Sequence, residues 1–360
     1  MCELTAVPWF ERILARLLPR IPEVVLAWIA GPPIALRGRV LDTRLSLVTR
    51  RAASRPPFHR LSVGAARRAT RAGLAALDDR PRHMARVERS VMGNSESPVS
   101  ARVYHPHGID GPRPLVLYFH QGGGVIGDLD WCETFCTILA SIARCRVASV
   151  DYRLAPEHPF PAAHDDAWAA FDWARQHAAE VEGDPTRIVV AGDSAGGMLA
   201  AHVALRARRE GGIAPTAQVL VYPWLALRSG DDERYREFRN TYPLDADGLA
   251  WFRHHLLGSE EDADDERLSP LDTEDLRGLA PTVIATAGFD PLCDEGAIFA
   301  SKLEAAGVPV TFRCYDSLTH SFTAMSGAIP AARQALEEIA WDLERIITRQ
   351  PSVLSQKFGV

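Results

Sequence analysis

Short apolar runs alternate with amphipathic segments over most of the chain, beginning near residue 81. Eight of these runs have the length and composition of β-strands, at residues 85–91, 100–104, 115–119, 146–150, 188–190, 217–222, 282–287 and 310–315. Helical patterns separate the later strands, at residues 132–143, 162–179, 195–209, 295–306 and 331–348. This alternation predicts an α/β fold with a mostly parallel sheet and helices on both of its faces.

The first 80 residues carry helical patterns and no strand pattern. Helices are predicted at residues 9–18, 41–51 and 63–77, with a short apolar segment at 24–30. The first helix is amphipathic, with one side formed by Phe10, Ile13, Leu14 and Leu17 and another by Arg12 and Arg16. We therefore expect a helical region before the first strand of the sheet.

The composition is that of a soluble globular protein, with 47% apolar and 24% charged residues among 360. A net charge of −6 argues against nucleic acid as a partner. The charge is uneven, because residues 1–90 hold 17 Arg, no Lys and 7 acidic residues, a balance of +10. Such a basic segment fits contact with an anionic membrane surface. The solvated sides of amphipathic helices explain it equally simply, and we favour that interpretation.

The cysteines show no paired framework, which predicts reduced thiols; they are Cys2, Cys132, Cys136, Cys145, Cys293 and Cys314. No apolar run approaches the roughly 20 residues that a membrane-spanning helix needs. The apolar segment at 24–30 does not match a cleaved leader, since Glu23 precedes it and two prolines follow it. We therefore expect a cytoplasmic protein without stable membrane insertion.

A Gly-x-Ser-x-Gly motif stands between a predicted strand and a predicted helix. Residues 192–196 read Gly-Asp-Ser-Ala-Gly, and the serine is Ser194. The glycines allow a strained strand-to-helix turn that exposes the hydroxyl. Because this short motif also occurs by chance, the rest of the chain must supply a base, an acid and an oxyanion hole. Ser194 is the candidate nucleophile.

Two later strand ends carry candidate partners for Ser194. Asp290 follows one predicted strand and His320 follows the next. The carboxyl ends of parallel strands meet at one edge of a sheet, where active sites of such folds lie. The order Ser, Asp, His is the one expected of an α/β-hydrolase. His320 is therefore the candidate base and Asp290 the acid that orients it, with Asp294 as a competitor for the acid.

A glycine-rich stretch follows the strand predicted at 115–119. Residues 120–124 read His-Gln-Gly-Gly-Gly, and backbone N–H groups in such a loop can converge on an oxyanion. We expect three donors, the amides of Gly122, Gly123 and Ala195. A phosphate-binding loop would need a Gly-Lys-Ser or Gly-Lys-Thr ending, which this stretch lacks.

Together these motifs resemble the hormone-sensitive-lipase-like esterases, which are also called bacterial family IV of the α/β-hydrolases. The matching stretches are Tyr-Phe-His at 118–120 with its glycines, Gly-Asp at 127–128, 151–162 (DYRLAPEHPFPA), 192–197 (GDSAGG), 269–271 (SPL), 290–296 (DPLCDEG) and 320–322 (HSF). They occur in the family's order over about residues 100–325, and as a set they are highly specific.

The resemblance implies an α/β-hydrolase fold with a helical cap. Its catalytic triad would be Ser194, Asp290 and His320, and its oxyanion donors Gly122, Gly123 and Ala195. His120 would hold the glycine loop, and Arg153 and Glu157 would be paired charges in a structural stretch. The cap would comprise residues 1–80 with a contribution from residues 224–265, on a catalytic domain of residues 81–360.

Two positions depart from the family pattern. Gln121 stands where the family usually has the first of three glycines, and Gly124 stands where it usually has an aromatic residue. Gln121 is harmless if its backbone needs no positive φ and its amide is not a donor. The missing aromatic at Gly124 widens the acyl pocket or loosens the loop.

The sequence thus predicts a serine carboxylic-ester hydrolase that cleaves short-to-medium acyl esters through an acyl-enzyme intermediate. Amide or lactone hydrolysis or acyl transfer on the same triad remain open, and so do a non-catalytic small-molecule receptor and a lipase acting at lipid surfaces. We expect a small-molecule ester as substrate, no cofactor and no metal site, and a homodimer remains open.

Overall fold

The computed structural model of the protein describes residues 9–93, 97–227, 233–238 and 241–348. Parts of the predicted regions lie outside these ranges: Cys2 and residues 1–8, residues 228–232 and 239–240 of the segment 224–265, and residues 349–360.

The strands confirm the predicted sheet. In chain order they are β1 (Ala35–Leu36), β2 (Arg39–Val40), β3 (Arg86–Gly93), β4 (Pro98–His105), β5 (Arg113–Phe119), β6 (Arg146–Asp151), β7 (Gly183–Asp193), β8 (Ala217–Val221), β9 (Thr282–Phe289) and β10 (Val310–Thr319). β1 and β2 form a small hairpin, and the other eight form one sheet in the order β10-β9-β8-β7-β5-β6-β4-β3. β4 is antiparallel to β3 and β6, and all other neighbours in this sheet are parallel.

Helices cover both faces of the sheet. They are α1 (Trp9–Leu17), α2 (Glu23–Ala30), α3 (Thr43–Ala52), α4 (Val63–Leu77), α5 (Glu133–Ala143), α6 (Ala162–His177), α7 (Ala195–Glu210), α8 (Glu233–Arg236), α9 (Ala246–Leu256), α10 (Cys293–Ala305) and α11 (Pro330–Thr348). α5 and α11 pack into the apolar core on one face, and α6, α7 and α10 into the core on the other. Because both faces are covered, β8 and β9 are buried along their whole length, which explains their uninterrupted apolar runs.

The N-terminal helices begin at the signals that the sequence carries. The side chain of Asp42 accepts hydrogen bonds from the backbone N–H groups of Arg44 and Leu45 and so caps α3. Ser62 caps α4 in the same way, through the N–H of Ala65. The apolar segment predicted at 24–30 is the helix α2.

The N-terminal region and the segment 224–265 meet at an aromatic cluster formed by Phe58, Trp251 and Phe252. Phe58 packs edge-on against Trp251, with ring centroids 5.5 Å apart, and lies 5.1 Å from Phe252. Trp251 and Phe252 belong to α9, whose first turn is capped by Asp245. The cluster joins two segments that are distant in sequence and sets α9 against the glycine loop.

Candidate active site

The turn at Ser194 is strained, as its motif predicts. Ser194 has a φ of +56°, and α7 begins with the next residue. A Cβ at Gly192 would lie 2.2 Å from the carbonyl oxygen of Gly196, and a Cβ at Gly196 would lie 1.9 Å from that of Phe119. Only glycine fits at these two positions, so the motif is what allows β7 to turn so sharply into α7.

The three residues predicted as a triad lie in one chain of hydrogen bonds. Ser194 Oγ is 3.0 Å from His320 Nε2, and His320 Nδ1 is 2.7 Å from Asp290 Oδ2. The other carboxylate oxygen of Asp290 accepts from the N–H of Leu292 at 2.9 Å, which fixes the carboxylate. All three side chains are buried. This geometry allows Nδ1–H to donate to Asp290, which leaves Nε2 free to accept the serine proton.

The competing acid lies elsewhere. Asp294 lies in the first turn of α10, and its carboxylate pairs with the guanidinium of Arg37 at 2.9 Å. The backbone N–H of Cys293 donates to the carbonyl of Asp290 at the start of the same helix. The strand end therefore presents Asp290 to His320, whereas Asp294 is bound to the N-terminal region.

The glycine loop, residues 120–124, has a backbone that side chains rarely allow. Gly122, Gly123 and Gly124 have φ values of +124°, +63° and +70°. A Cβ at Gly122 would lie 2.0 Å from the carbonyl oxygen of Ile126. At Gly123 it would lie 2.2 Å from the ring of Phe252. The glycines are thus required by the turn and by the close approach of α9.

His120 braces this loop from within the core. Its Nδ1 lies 2.7 Å from the carbonyl oxygen of Gln121, and its ring stacks on Tyr152 at 4.3 Å. The hydroxyl of Tyr152 donates to the carbonyl of His120 at 2.7 Å. Burial lowers the pKa of His120, which keeps the imidazole neutral.

Gln121 connects the glycine loop to the base loop, residues 320–324. Its Oε1 accepts from Ser321 Oγ at 2.6 Å, and its Nε2 donates to Thr323 Oγ1 at 3.3 Å. Thr323 in turn donates to Asp193 Oδ2 at 2.7 Å, and Tyr222 donates to the same oxygen at 3.0 Å. The sequence indicated only that Gln121 departs from the family, and gave no signal for these partners.

The carboxylate beside the nucleophile is also part of this network. Asp193 is buried, and burial raises its pKa. The ring of Tyr222 lies 4.5 Å from that of His320, so the same tyrosine contacts the candidate base and the buried acid. The network therefore joins the turn at Ser194, the glycine loop and the base loop.

The charges of the stretch 151–162 are paired, although not with each other. Arg153 binds Asp166 at 2.6 Å, and Glu157 binds Arg67 of α4 at 2.7 Å. The prediction of an Arg153–Glu157 pair was therefore wrong, because both side chains reach helices outside the stretch. The hydrogen bond from Arg67 lowers the pKa of Glu157 to about 2.

Arg67 also supports the glycine loop from the N-terminal region. It donates to the carbonyl of Val125 and to that of Ala155, both at 2.9 Å. One side chain of α4 thus contacts the backbone just after the glycine loop and also the backbone three residues after Tyr152. Among the described residues, no group of three or more His, Cys, Asp or Glu side chains is placed to hold a metal ion.

A family model described as an α/β-hydrolase fold matches residues 116–324, which include Ser194, Asp290, His320 and the glycine loop. The chain belongs to the α/β-hydrolases. This membership confirms the fold that the sequence predicts and the resemblance to the hormone-sensitive-lipase-like esterases.

Relatives of this α/β-hydrolase are named for ester hydrolysis. The carboxylic ester hydrolase LipN of Mycobacterium tuberculosis is 41% identical over 85% of this chain and 84% of its own length. The ethyl acetate hydrolase of Pseudomonas putida is 35% identical over 80% of this chain and 92% of its own. The solved structure of an esterase from Pyrobaculum calidifontis superposes with a TM-score of 0.78, at 33% identity, over 85% of this chain and 99% of its own.

Proposed function

We propose that this α/β-hydrolase is a serine carboxylic-ester hydrolase that acts on short-to-medium acyl esters. The observation that carries the proposal is the hydrogen-bonded sequence from Ser194 through His320 to Asp290. The relatives named as ester hydrolases support the reaction class. The name of the ethyl acetate hydrolase supports a small acyl group.

In the proposed mechanism Ser194 Oγ attacks the ester carbonyl while His320 Nε2 takes its proton. The carbonyl oxygen becomes an oxyanion, which the backbone N–H groups of Gly122, Gly123 and Ala195 stabilise. His320 returns the proton to the leaving alcohol, and the acyl group stays on Ser194. Water, deprotonated by His320, then attacks the acyl carbon, the bond to Ser194 Oγ breaks, and His320 returns the proton to Oγ as the acid leaves. Asp290 keeps the imidazole oriented through both steps, and no cofactor takes part.

A non-catalytic receptor with this fold would lack the nucleophile or the base of the triad. Ser194 and His320 are present and lie within hydrogen-bond distance, which favours the enzyme. Amide or lactone hydrolysis and acyl transfer would use the same residues, and substrate comparison separates them from ester hydrolysis.

We further propose the division into a cap, formed by residues 1–80 with a contribution from 224–265, and a catalytic domain, residues 81–360. Its support is the aromatic cluster that joins Phe58 to α9, and the contact of α9 with the glycine loop.

A cytoplasmic location is supported by the described cysteines, which are all free. No described helix is long and apolar enough to cross a membrane.

The test is hydrolysis of p-nitrophenyl esters from acetate to palmitate by the wild type and by Ser194→Ala. We expect activity to peak at short or medium chains. In Ser194→Ala it should fall by about four orders of magnitude or more, because the nucleophile is lost. Matched anilides and lactones should be cleaved more slowly than esters. An active Ser194→Ala variant would refute the assignment, and faster anilide cleavage would refute the ester preference.

A further inference from the structure

Helix α1 exposes three large apolar side chains to solvent. Ala15 packs against the protein and is only 6% exposed. Ile13, Leu14 and Leu17 lie on another side of the helix and are all exposed, Leu14 by 55%. An ordinary surface helix buries its apolar side and exposes its polar one. From residue 11 onward, where the structure describes the side chains of α1, the small Ala15 is buried and the large apolar side chains point away from the protein.

The next helix repeats this arrangement. Val24 and Trp28 of α2 are 83% and 85% exposed, and Val25 and Ile29 are exposed as well. Single exposed apolar residues are common on protein surfaces, but two successive helices of this kind indicate a contact surface. We call the exposed apolar residues of α1 and α2 the apolar face. Its members are Ile13, Leu14, Leu17, Val24, Val25, Trp28 and Ile29.

Arginines accompany the apolar face. Arg12, Arg16 and Arg20 are exposed at every fourth position, and none forms an ion pair with a carboxylate of the described residues. The acids of these two helices are engaged elsewhere, because Glu11 pairs with Arg51 and Arg55, and Glu23 pairs with Arg44. The exposed charge of this surface is therefore positive.

We propose that the apolar face docks on an anionic lipid surface. Apolar side chains of an interfacial helix enter the boundary between headgroups and acyl chains, while neighbouring arginines bind anionic headgroups. An exposed tryptophan such as Trp28 suits this boundary, since its ring is apolar and its N–H is polar. The helices lie on the surface and do not cross it.

The charges favour a lipid surface over a second copy of the chain. In a two-fold symmetric contact the apolar face would meet itself. Arg12, Arg16 and Arg20 of one copy would then approach the same arginines of the other, which opposes association. An anionic surface removes this repulsion and binds the same arginines.

The experiment is flotation of the full chain with vesicles of phosphatidylcholine alone or mixed with phosphatidylglycerol. We expect binding to the mixed vesicles, weak binding to phosphatidylcholine, and a fall in binding as salt is raised. Ser194→Ala should bind like the wild type, because docking does not use the nucleophile. Failure of docking and failure of the proposed hydrolysis are thereby distinguished.

Two variants separate the parts of the apolar face. Val24→Ser with Trp28→Ser should lower partition into mixed vesicles by about tenfold or more, since it removes apolar insertion. Arg12, Arg16 and Arg20 changed together to Gln should lower it by roughly fivefold for each arginine. Trp341→Ser is the matched control, because Trp341 is exposed on α11, outside the apolar face. It should bind normally.

The variants must keep their hydrolysis of p-nitrophenyl butyrate in solution, which shows that they are folded. Equal binding to both vesicle types, or none to either, would overturn the proposal. So would self-association of the wild type that is abolished in the Val24→Ser, Trp28→Ser variant without vesicle binding, since the occupant would then be a second copy.

Discussion

Gln121 is one of the two positions in the glycine loop at which this chain departs from the family pattern. Its amide oxygen accepts a hydrogen bond from Ser321 and its amide nitrogen donates one to Thr323, and both partners belong to the base loop. It is buried, so losing one bond leaves a buried partner unsatisfied. The side chain therefore couples the position of the oxyanion donors to that of the base.

Replacing Gln121 by Leu, which keeps the volume and removes both hydrogen bonds, should lower kcat about tenfold with a small change in KM. The physical reason is that the base loop and the glycine loop lose their common support. Gln121→Glu should be worse, because a second carboxylate would lie in the network of Asp193. Steady-state kinetics across pH measure the effect.

A merely structural role for Gln121 would give another outcome. The thermal midpoint would fall while kcat and its pH profile stayed at wild-type values, and the coupling argued above would be wrong. Gln218→Leu is a control for the loss of a buried glutamine, since Gln218 bonds Thr282 between β8 and β9, away from both loops.

Individual residues were predictable where a rigid backbone dictates them. Gly192 and Gly196 around Ser194, and Gly122 in the glycine loop, are required by carbonyl contacts near 2 Å, so their motifs carry the geometry. The partners of Gln121 and of Arg153 depend on which loops the fold brings together. No local pattern encodes such contacts. The partners of Gln121 were therefore not predicted, and the partner predicted for Arg153 was wrong.

At the scale of elements, α9 closes the space above the glycine loop. Phe252 lies on Gly123 and Leu256 on Gly124, where a Cβ would be 2.8 Å from the Leu256 side chain. Leu256 thus occupies the side of Gly124 where a larger residue at 124 would point. The sequence indicated a missing aromatic, and the structure shows that a residue from another helix takes its place.

Leu256→Ala should therefore raise the ratio of kcat/KM for octanoate to that for acetate by roughly fourfold to fifteenfold, which corresponds to burying one to two more methylene groups. Leu249→Ala on the same helix is the control, because it also removes a buried leucine of α9. Identical chain-length profiles for Leu256→Ala and the wild type would show that α9 does not limit the acyl group.

The positions of the strands in the sequence were predictable because burial determines which residues of a strand are apolar. Strands covered on both faces, such as β8 and β9, give continuous apolar runs. All eight strands of the large sheet were predicted, whereas the β1–β2 hairpin, in the region predicted as helical, was not. The orientation of α1 was not predicted either, since its periodicity shows that one side is apolar and not which side meets the protein. Ala15, a small residue between the large ones, turned out to be the contact.

At the scale of the whole molecule, a buried histidine makes stability depend on pH. His164 of α6 is buried, and burial lowers its pKa to about 3. In the unfolded chain a histidine titrates near 6.5. Between these values the unfolded state binds the extra proton, so the free energy of unfolding decreases as the pH falls through this window.

His164→Leu should remove this contribution. Below about pH 6 the wild type should lose about 1.4 kcal/mol of unfolding free energy per pH unit more than the variant. Urea unfolding between pH 7 and 4.5 measures both slopes. His254→Leu, at an exposed histidine, is the control. Equal slopes for His164→Leu and the wild type would contradict the assignment to His164.

The most direct measurement of the central claim is covalent labelling with a fluorophosphonate, followed by mass spectrometry of the digested protein. Such a reagent reacts with a serine that an adjacent base activates. The geometry predicts one adduct, on Ser194, absent from Ser194→Ala and formed at least about a hundredfold more slowly in His320→Ala. Ester turnover with no label on Ser194, or equal labelling of His320→Ala, would contradict the proposed triad.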